Sequence, residues 1–237
     1  MLNIGVFVYN FPHKKTQEGL FELFARGYKP TCAIAANPVK LDFYQSKIRI
    51  GPKGLEYIHP KELCDTMGID YRVCEHSGKE CINFIQEKKL DIGIVLGARI
   101  LKQEVIDQFN IGIVNMHPGL LPENRGLDNI KWAILDGIEQ GATSHLIDSS
   151  VDRGLLIDKK SIEVYEDDSL IDITLRVQNL ELKMMISALE KLSAGFLPKE
   201  KIKVGKKNSS VSKNIEDHIM QIFDKYKKEY TRKLRED

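Results

Sequence analysis

Short apolar runs alternate with polar stretches of helical periodicity through the first half of the chain. Such alternation is typical of a parallel sheet whose connecting helices cover both faces. The predicted strands are 4–9, 31–36, 71–74, 92–96, 112–116, 143–148 and 155–164, and the predicted helices are 16–26, 78–88, 102–108, 129–135 and 168–194. We therefore expect an α/β fold with a doubly wound, mainly parallel sheet, whose functional site lies at the carboxyl ends of the strands.

The composition of the chain changes near Gly195. Residues 1–195 carry the alternating pattern and are predicted to form one catalytic domain, whereas 196–237 contain a lysine-rich connector and a final amphipathic helix. We expect this helix to pack on its own domain, with a homodimer contact as the alternative. Residues 37–60 contain three prolines and are expected to be an irregular surface segment.

The run Asn-Met-His-Pro-Gly-Leu-Leu-Pro at 115–122 follows an apolar strand and precedes an Arg-Gly pair. Asn115 and His117 are two residues apart in extended backbone, so their side chains point to the same face. Asp152 lies in a second turn, Val-Asp-Arg-Gly at 151–154. An amide, an imidazole and a carboxylate that converge on one point form a site suited to acyl transfer, although each residue alone is ordinary in a turn.

This set resembles the catalytic centre of the folate-dependent formyltransferases, whose pattern is Asn-x-His-Pro-x-Leu-Leu-Pro-x-x-Arg-Gly followed by a Leu-Asp-x-Gly turn. The similarity continues through Trp-Ala-Ile-Leu-Asp-Gly at 132–137 and Gly-Ala-Thr-Ser-His at 141–145. It covers roughly residues 91–165. The family implies a Rossmann-like fold and a formyl transfer that consumes 10-formyltetrahydrofolate as a cosubstrate.

The chemistry gives each of the three residues a task. Asn115 would donate its side-chain amide to the oxyanion, while His117 would add a second donor or carry the proton. Asp152 would orient the imidazole and stabilise its charge. Because paired His or Cys ligands at metal spacing are absent from the sequence, we expect that no metal takes part.

The resemblance places the folate pterin in an apolar slot between two segments. Its predicted contacts are Leu96, Ala98, Arg99, Ile100, Leu101, Leu146, Ile147, Asp148 and Val151.

The acceptor is inferred by elimination among the relatives. Residues 10–16 lack the glycine-rich phosphate loop of glycinamide ribonucleotide transformylases. Because no strand series is predicted after Gly195, we do not expect the β-barrel domain of methionyl-tRNA formyltransferases. Because the first predicted strand is 4–9, we do not expect the N-terminal regulatory domain of formyltetrahydrofolate hydrolases. The remaining subgroup formylates nucleotide-linked amino sugars for surface polysaccharides such as O-antigen. We expect dTDP-4-amino-4,6-dideoxyglucose or a close isomer as the acceptor.

The predicted substrate contacts surround the catalytic loop, which is the segment that contains the run at 115–122. They are Tyr9, His13, Lys14, Lys15, Gly119, Leu120, Leu121 and Arg125. Gly119 stands where the family commonly has serine, which is expected to make the loop freer.

Two alternatives remain open, a glycinamide ribonucleotide formyltransferase and a non-catalytic, formyltransferase-like binding subunit. The bulk composition restricts the partners further. Lys and Arg (35) nearly balance Asp and Glu (34), so neither nucleic acid nor an anionic membrane is an expected partner. No apolar run approaches the roughly 20 residues that span a bilayer, and the four cysteines form no Cys-x-x-Cys pair. A cytoplasmic location is expected.

Overall fold

The structure is a computed structural model that describes residues 2–40, 46–150 and 152–236. Its strands are β1 (Ile4–Tyr9), β2 (Cys32–Ala36), β3 (Asp70–Val73), β4 (Ile92–Val95), β5 (Gly112–His117), β6 (Arg125–Gly126), β7 (Gly141–Ile147), β8 (Gly154–Ser161) and β9 (Lys207–Asn208). Its helices are α1 (Lys14–Ala25), α2 (Pro60–Met67), α3 (Lys79–Lys88), α4 (Gln103–Ile106), α5 (Asn129–Asp136), α6 (Leu170–Ser193) and α7 (Lys213–Glu236).

Seven of these strands form one sheet in the order β3-β2-β1-β4-β5-β7-β8. The first five are parallel, whereas β7 pairs antiparallel with both β5 and β8. Helices cover both faces, so the predicted α/β class and the mainly parallel sheet are confirmed. The strand order reverses beside β1, and the carboxyl ends of β1, β4 and β5 therefore open at one edge, where ligands bind in such sheets.

Each face of the sheet has its own apolar core. One core, with Val6, Leu20 and Leu189, lies under α1 and α6, and the other, with Phe7 and Phe84, lies under α3 and α4. Alternating side chains of each strand supply the two cores in turn.

The prediction did not include α2, which lies inside the sheet half of the chain. This helix is short, and its first turn begins at Pro60 after His59, whose ring accepts a hydrogen bond from the Lys61 N–H. His is an uncommon capping residue, so the usual start signal of a helix is missing here. Before it, the described residues 37–40 and 46–59 contain neither helix nor strand, as expected.

The C-terminal segment packs on the same domain through α5. Phe223, Tyr226 and Tyr230 of α7 are buried against Trp132 and its neighbours. The hydroxyls of the two tyrosines donate to the carbonyls of Ile138 and Gly137, both at 2.7 Å. Within the described part of the chain, no helix is both long and apolar enough to cross a membrane.

Candidate active site

His117 and Asp152 meet at the carboxyl end of β5. The Nδ1 of His117 lies 3.2 Å from Oδ1 of Asp152, and the backbone N–H of Gly126 donates to Oδ2 at 2.9 Å. Asp152 has a φ of 53°, a left-handed conformation that aspartate tolerates better than most residues. Burial acts to raise the pKa of Asp152, but the bonds from His117 and Gly126 outweigh it and hold the pKa below its usual range.

Asn115 is oriented by a histidine on the neighbouring strand β7. Its Nδ2 lies 3.3 Å from Nε2 of His145, whose Nδ1 lies 2.8 Å from the carbonyl of Arg153. Burial, together with the nearby charge of His117, lowers the pKa of His145 to about 4. The ring is therefore neutral near pH 7, donates from Nδ1, and accepts from Asn115 at Nε2. The second N–H of Asn115 remains available for a ligand.

The sequence interpretation gave His145 no role of its own, although a signal was present. The antiparallel register places Asn115 opposite His145 and His117 opposite Thr143. Thr143 donates to the carbonyl of Gly119 at 2.7 Å and accepts from the N–H of Leu121 at 3.0 Å. The two-residue spacing between Thr143 and His145 therefore matches the spacing between Asn115 and His117 on the paired strand. Through its two hydrogen bonds, Thr143 fixes the loop that follows His117.

A cleft of about 200 Å³ opens beside Asn115 and Asp152. Six of the predicted folate contacts line it together with Val95, Ser149 and Ser150: Ala98, Arg99, Ile100, Leu101, Ile147 and Asp148. The structure differs from the prediction at Leu96 and Leu146, which are buried in the core under α1 and α6 and do not line this cleft. Side chains alternate at a strand end, so these two point away from the cleft. Val151 lies outside the described residues.

Tyr9 contacts this cleft from behind. Its hydroxyl donates to the carbonyl of Ala98 at 2.9 Å, and the guanidinium of Arg99 lies 4.9 Å from its ring centroid. Phe11 stacks on the same ring at 5.0 Å. Tyr9 therefore supports the loop that lines the cleft, a different place from the acceptor contact predicted for it.

A second cleft of about 320 Å³ lies on the other side of the catalytic loop, next to Pro118 and Asn129. His13, Lys14 and Lys15 line it, as do Lys131, Gln178 and Glu181. Burial and the charge of Lys15 lower the pKa of His13 to about 4, so its ring is uncharged near pH 7.

The lysines of this second cleft already have anionic partners. Lys14 binds Glu18 at 2.7 Å, and Lys15 binds Glu181 at 2.8 Å and the carbonyl of Met116 at 2.9 Å. The phosphates of a nucleotide-linked substrate would have to compete with these carboxylates, so the substrate contacts predicted for Lys14 and Lys15 require the two ion pairs to rearrange.

The predicted loop contacts occupy different environments. Gly119 is tightly enclosed, because a Cβ built there would lie 2.8 Å from the carbonyl oxygen of Asn124. Close packing, and not the freedom expected from the sequence, therefore accounts for glycine at this position. Leu121 is buried, Leu120 is half-buried near Gly141, and Arg125 is half-buried in β6, which pairs with β9.

Comparison with known proteins identifies the family of the chain. A family model described as "Formyl transferase" matches residues 29–189, and the chain belongs to this family. The chain is 33% identical over 189 residues to a methionyl-tRNA formyltransferase from Caldanaerobacter subterraneus subsp. tengcongensis, a match that covers 78% of this chain and 58% of the relative. The chain thus spans less than two thirds of that relative's length.

Two solved structures share the fold at low sequence identity. A phosphoribosylglycinamide formyltransferase from Anaplasma phagocytophilum has a TM-score of 0.64 at 20% identity and covers 82% of this chain and 88% of its own. A sugar N-formyltransferase from Shewanella sp FDAARGOS_354 has a TM-score of 0.62 at 17% identity and covers 94% of this chain and 88% of its own.

In the described part of the chain, no group of three His, Cys, Asp or Glu side chains is arranged to hold a metal ion.

Proposed function

We propose that this protein transfers a formyl group from 10-formyltetrahydrofolate to an amine. The observation that carries the proposal is that Asn115 and Asp152 line one cleft, with the Nδ1 of His117 held 3.2 Å from the Asp152 carboxylate. An amide donor held by a neutral histidine, beside an imidazole held by a carboxylate, supplies what a tetrahedral oxyanion and a mobile proton require.

The proposed reaction moves one formyl group and one proton. The acceptor nitrogen attacks the formyl carbon, and the carbonyl oxygen becomes an oxyanion that accepts a hydrogen bond from Asn115. The bond between the formyl carbon and N10 of the folate then breaks. One proton passes from the acceptor nitrogen to N10, with His117 and Asp152 as its carriers, and the products are a formamide and tetrahydrofolate.

The two clefts suggest how the substrates are arranged. The folate would occupy the cleft beside Asn115, where Ile100, Leu101 and Ile147 provide apolar surface for the pterin. Backbone groups of residues 147–150 are available to its polar edge. The acceptor would enter from the cleft beside Pro118 and Asn129, so the amine and the formyl carbon meet at the end of β5.

For the acceptor we propose a nucleotide-linked amino sugar, in the first place dTDP-4-amino-4,6-dideoxyglucose. Its support is the likeness to the Shewanella sugar N-formyltransferase, which extends over 94% of this chain, against 82% for the Anaplasma enzyme. Methionyl-tRNA is the second candidate, because the 33% identity is with an enzyme named for that acceptor.

A direct assay distinguishes these acceptors. Purified protein is incubated with 10-formyltetrahydrofolate and, in separate reactions, with a dTDP-linked amino sugar, a UDP-linked amino sugar, glycinamide ribonucleotide or methionyl-tRNA. Mass spectrometry detects the gain of one formyl group on each acceptor. We expect a dTDP-linked amino sugar to be formylated fastest, and formylation of methionyl-tRNA or glycinamide ribonucleotide alone would contradict the proposed acceptor. The melting temperature of the protein is measured with each compound as well, because a ligand that binds only the folded state raises it. If neither folate nor any of these acceptors raised the melting temperature, a non-catalytic role would be favoured.

A further inference from the structure

The loop between β4 and α4 forms one wall of the cleft beside Asn115. Ala98, Arg99, Ile100 and Leu101 line the cleft from this loop. The loop contains neither helix nor strand, so it has no regular ladder of backbone hydrogen bonds. The isoleucine is 72% exposed, so packing does not hold its side chain in place. The shape of this wall therefore depends on the contacts that fix the loop backbone.

His76, which lies just before α3, fixes one backbone group of the loop. The residue is 1% exposed, and its Nδ1 accepts a hydrogen bond from the N–H of Arg99 at 3.2 Å. Its Nε2 lies 3.0 Å from the carbonyl of Ile34 on β2, and because a carbonyl only accepts, the ring hydrogen is on Nε2. Burial lowers the pKa of His76 to about 4, so this neutral ring persists near pH 7. The ring also meets Phe7 of β1 edge-on, with the centroids 5.2 Å apart.

Ser77, the next residue, fixes two more backbone groups. Its hydroxyl donates to the carbonyl of Ile100 at 2.9 Å and accepts from the N–H of Lys102 at 3.2 Å. The Tyr9 hydroxyl adds a bond to the carbonyl of Ala98 at 2.9 Å. Side chains from outside the loop thus hold four of its backbone groups, and three of these bonds come from two adjacent residues before α3.

We propose that His76 and Ser77 are positioning residues that hold residues 98–102 in the shape that receives the formyl donor. The side chains that line the folate cleft belong to other residues, so these two act on the ligand through the loop backbone. Without their bonds the loop would visit other conformations, and a ligand would have to order it on binding, which weakens affinity. The inference rests on the proposed function for the identity of the ligand, but the hold on the loop can be measured without one.

Two pairs of variants test the hold on the loop. Ser77→Ala removes the hydroxyl at a half-buried position, and Ser77→Thr restores a hydroxyl. His76→Phe keeps a ring of similar size and removes both nitrogens, and His76→Asn returns an oxygen that can accept from the N–H of Arg99.

Backbone hydrogen exchange, followed by NMR in the absence of ligand, is the first readout. We expect the Lys102 amide to exchange about tenfold faster in Ser77→Ala, and the Arg99 amide about tenfold faster in His76→Phe, the effect of about one lost hydrogen bond. Ser77→Thr and His76→Asn should return the rates towards those of the wild type.

Binding of tetrahydrofolate, the product of the proposed reaction, is the second readout. We expect its Kd, measured by calorimetry, and the KM for 10-formyltetrahydrofolate to rise about threefold to tenfold in Ser77→Ala and in His76→Phe. The KM for the acceptor and kcat should change less than about twofold. A general loss of folded protein would instead lower kcat and leave both KM values unchanged.

Ser193→Ala is the matched control. Ser193 is exposed on α6, which covers the face of the sheet opposite α3, so both readouts should stay at their wild-type values. If His76→Phe prevents folding, as judged by circular dichroism, Ser77→Ala decides the test, because its side chain is partly exposed and its truncation leaves the core intact.

The outcomes separate this inference from the proposed function. Unchanged exchange at Lys102 in folded Ser77→Ala would overturn the inference, and so would faster exchange with an unchanged Kd for tetrahydrofolate. If the wild type bound no tetrahydrofolate although exchange was faster in the variants, the hold on the loop would be supported and the proposed function refuted.

Discussion

The buried ion pair between Lys131 and Glu216 joins α5, which follows the catalytic loop, to the C-terminal helix α7. Its two charged atoms lie 2.7 Å apart, and the side chains are only 2% and 3% exposed. Glu216 also accepts from the Lys47 N–H at 3.0 Å and from the Ser46 hydroxyl. Removing one partner of such a pair leaves an uncompensated buried charge, which typically costs about 3–5 kcal/mol.

Glu216→Gln tests this connection because it keeps the shape of the side chain and removes its charge. Burial acts to raise the pKa of Glu216, but the bonds from Lys131, Ser46 and Lys47 lower it from 4.5 to about 2. That difference corresponds to about 3 kcal/mol of folding free energy at pH 7. We therefore expect Glu216→Gln to lower the free energy of unfolding by about 3 kcal/mol and the melting temperature by roughly 6–12 °C.

The pH dependence has a defined sign. Since the folded-state pKa is depressed, the stabilisation by the Glu216 charge is present above pH 4.5 and is lost as pH falls towards 2. The buried histidines His13, His76 and His145, whose pKa values are lowered to about 4, also reduce stability as pH falls below 6.5. They act equally in both proteins, so the difference between wild type and variant isolates Glu216.

Urea unfolding between pH 7 and pH 3 measures this difference. At pH 3, we expect the difference in unfolding free energy between the wild type and Glu216→Gln to be less than about half of its value at pH 7. Asp65→Asn is the matched control, because the Lys61–Asp65 pair is about 60% exposed and should contribute less than about 1 kcal/mol. A pH-independent difference, or one as small as that of the control, would refute the reasoning about the buried charge.

Three further predictions concern the active site. Asn115→Ala should lower kcat roughly 10²- to 10³-fold in a folded protein, since one oxyanion donor is lost, and unchanged formylation would remove Asn115 from the mechanism. Gly119→Ser should lower kcat, because the new Cβ would lie 2.8 Å from the Asn124 carbonyl oxygen and push it from the Nε2 of His117, which it contacts at 2.8 Å. A fully active variant would show that the loop adapts. Activity should survive exhaustive chelation, and its restoration by zinc or magnesium after loss would show that a metal takes part.

The fold was largely predictable because strand and helix periodicity is a local property. Six predicted strands agree with β1, β2, β3, β4, β5 and β7 to within about two residues, and the predicted strand 155–164 overlaps β8. The pairing of β6 with β9 was not predictable, since two-residue strands have no periodicity and their partners are about 80 residues apart in sequence. The antiparallel direction of β7 likewise depends on tertiary packing.

The candidate site was predictable only as far as the motif reaches. Asn115, His117 and Asp152 were predictable because one extended sequence pattern contains all three, and the structure brings them together at a strand end. The Lys14–Glu18 pair is local, but the carboxylate partner of Lys15 did not follow from its own segment, since Glu181 lies in α6, far along the chain. A cation counted from sequence is available to a ligand only if no carboxylate is packed against it.

The connector after Gly195 contributes to the site through the backbone. Arg125 and Gly126 of β6 pair with Lys207 and Asn208 of β9, and Gly126 also donates its N–H to Asp152. Gly126 has a φ of 107° and approaches β9 so closely that a Cβ would lie 2.1 Å from the carbonyl oxygen of Asn208. Glycine is therefore required there on two counts. Because Gly126 pairs with β9 and donates its N–H to Asp152, the position of the carboxylate that contacts His117 depends on a segment that composition alone separates from the predicted catalytic domain.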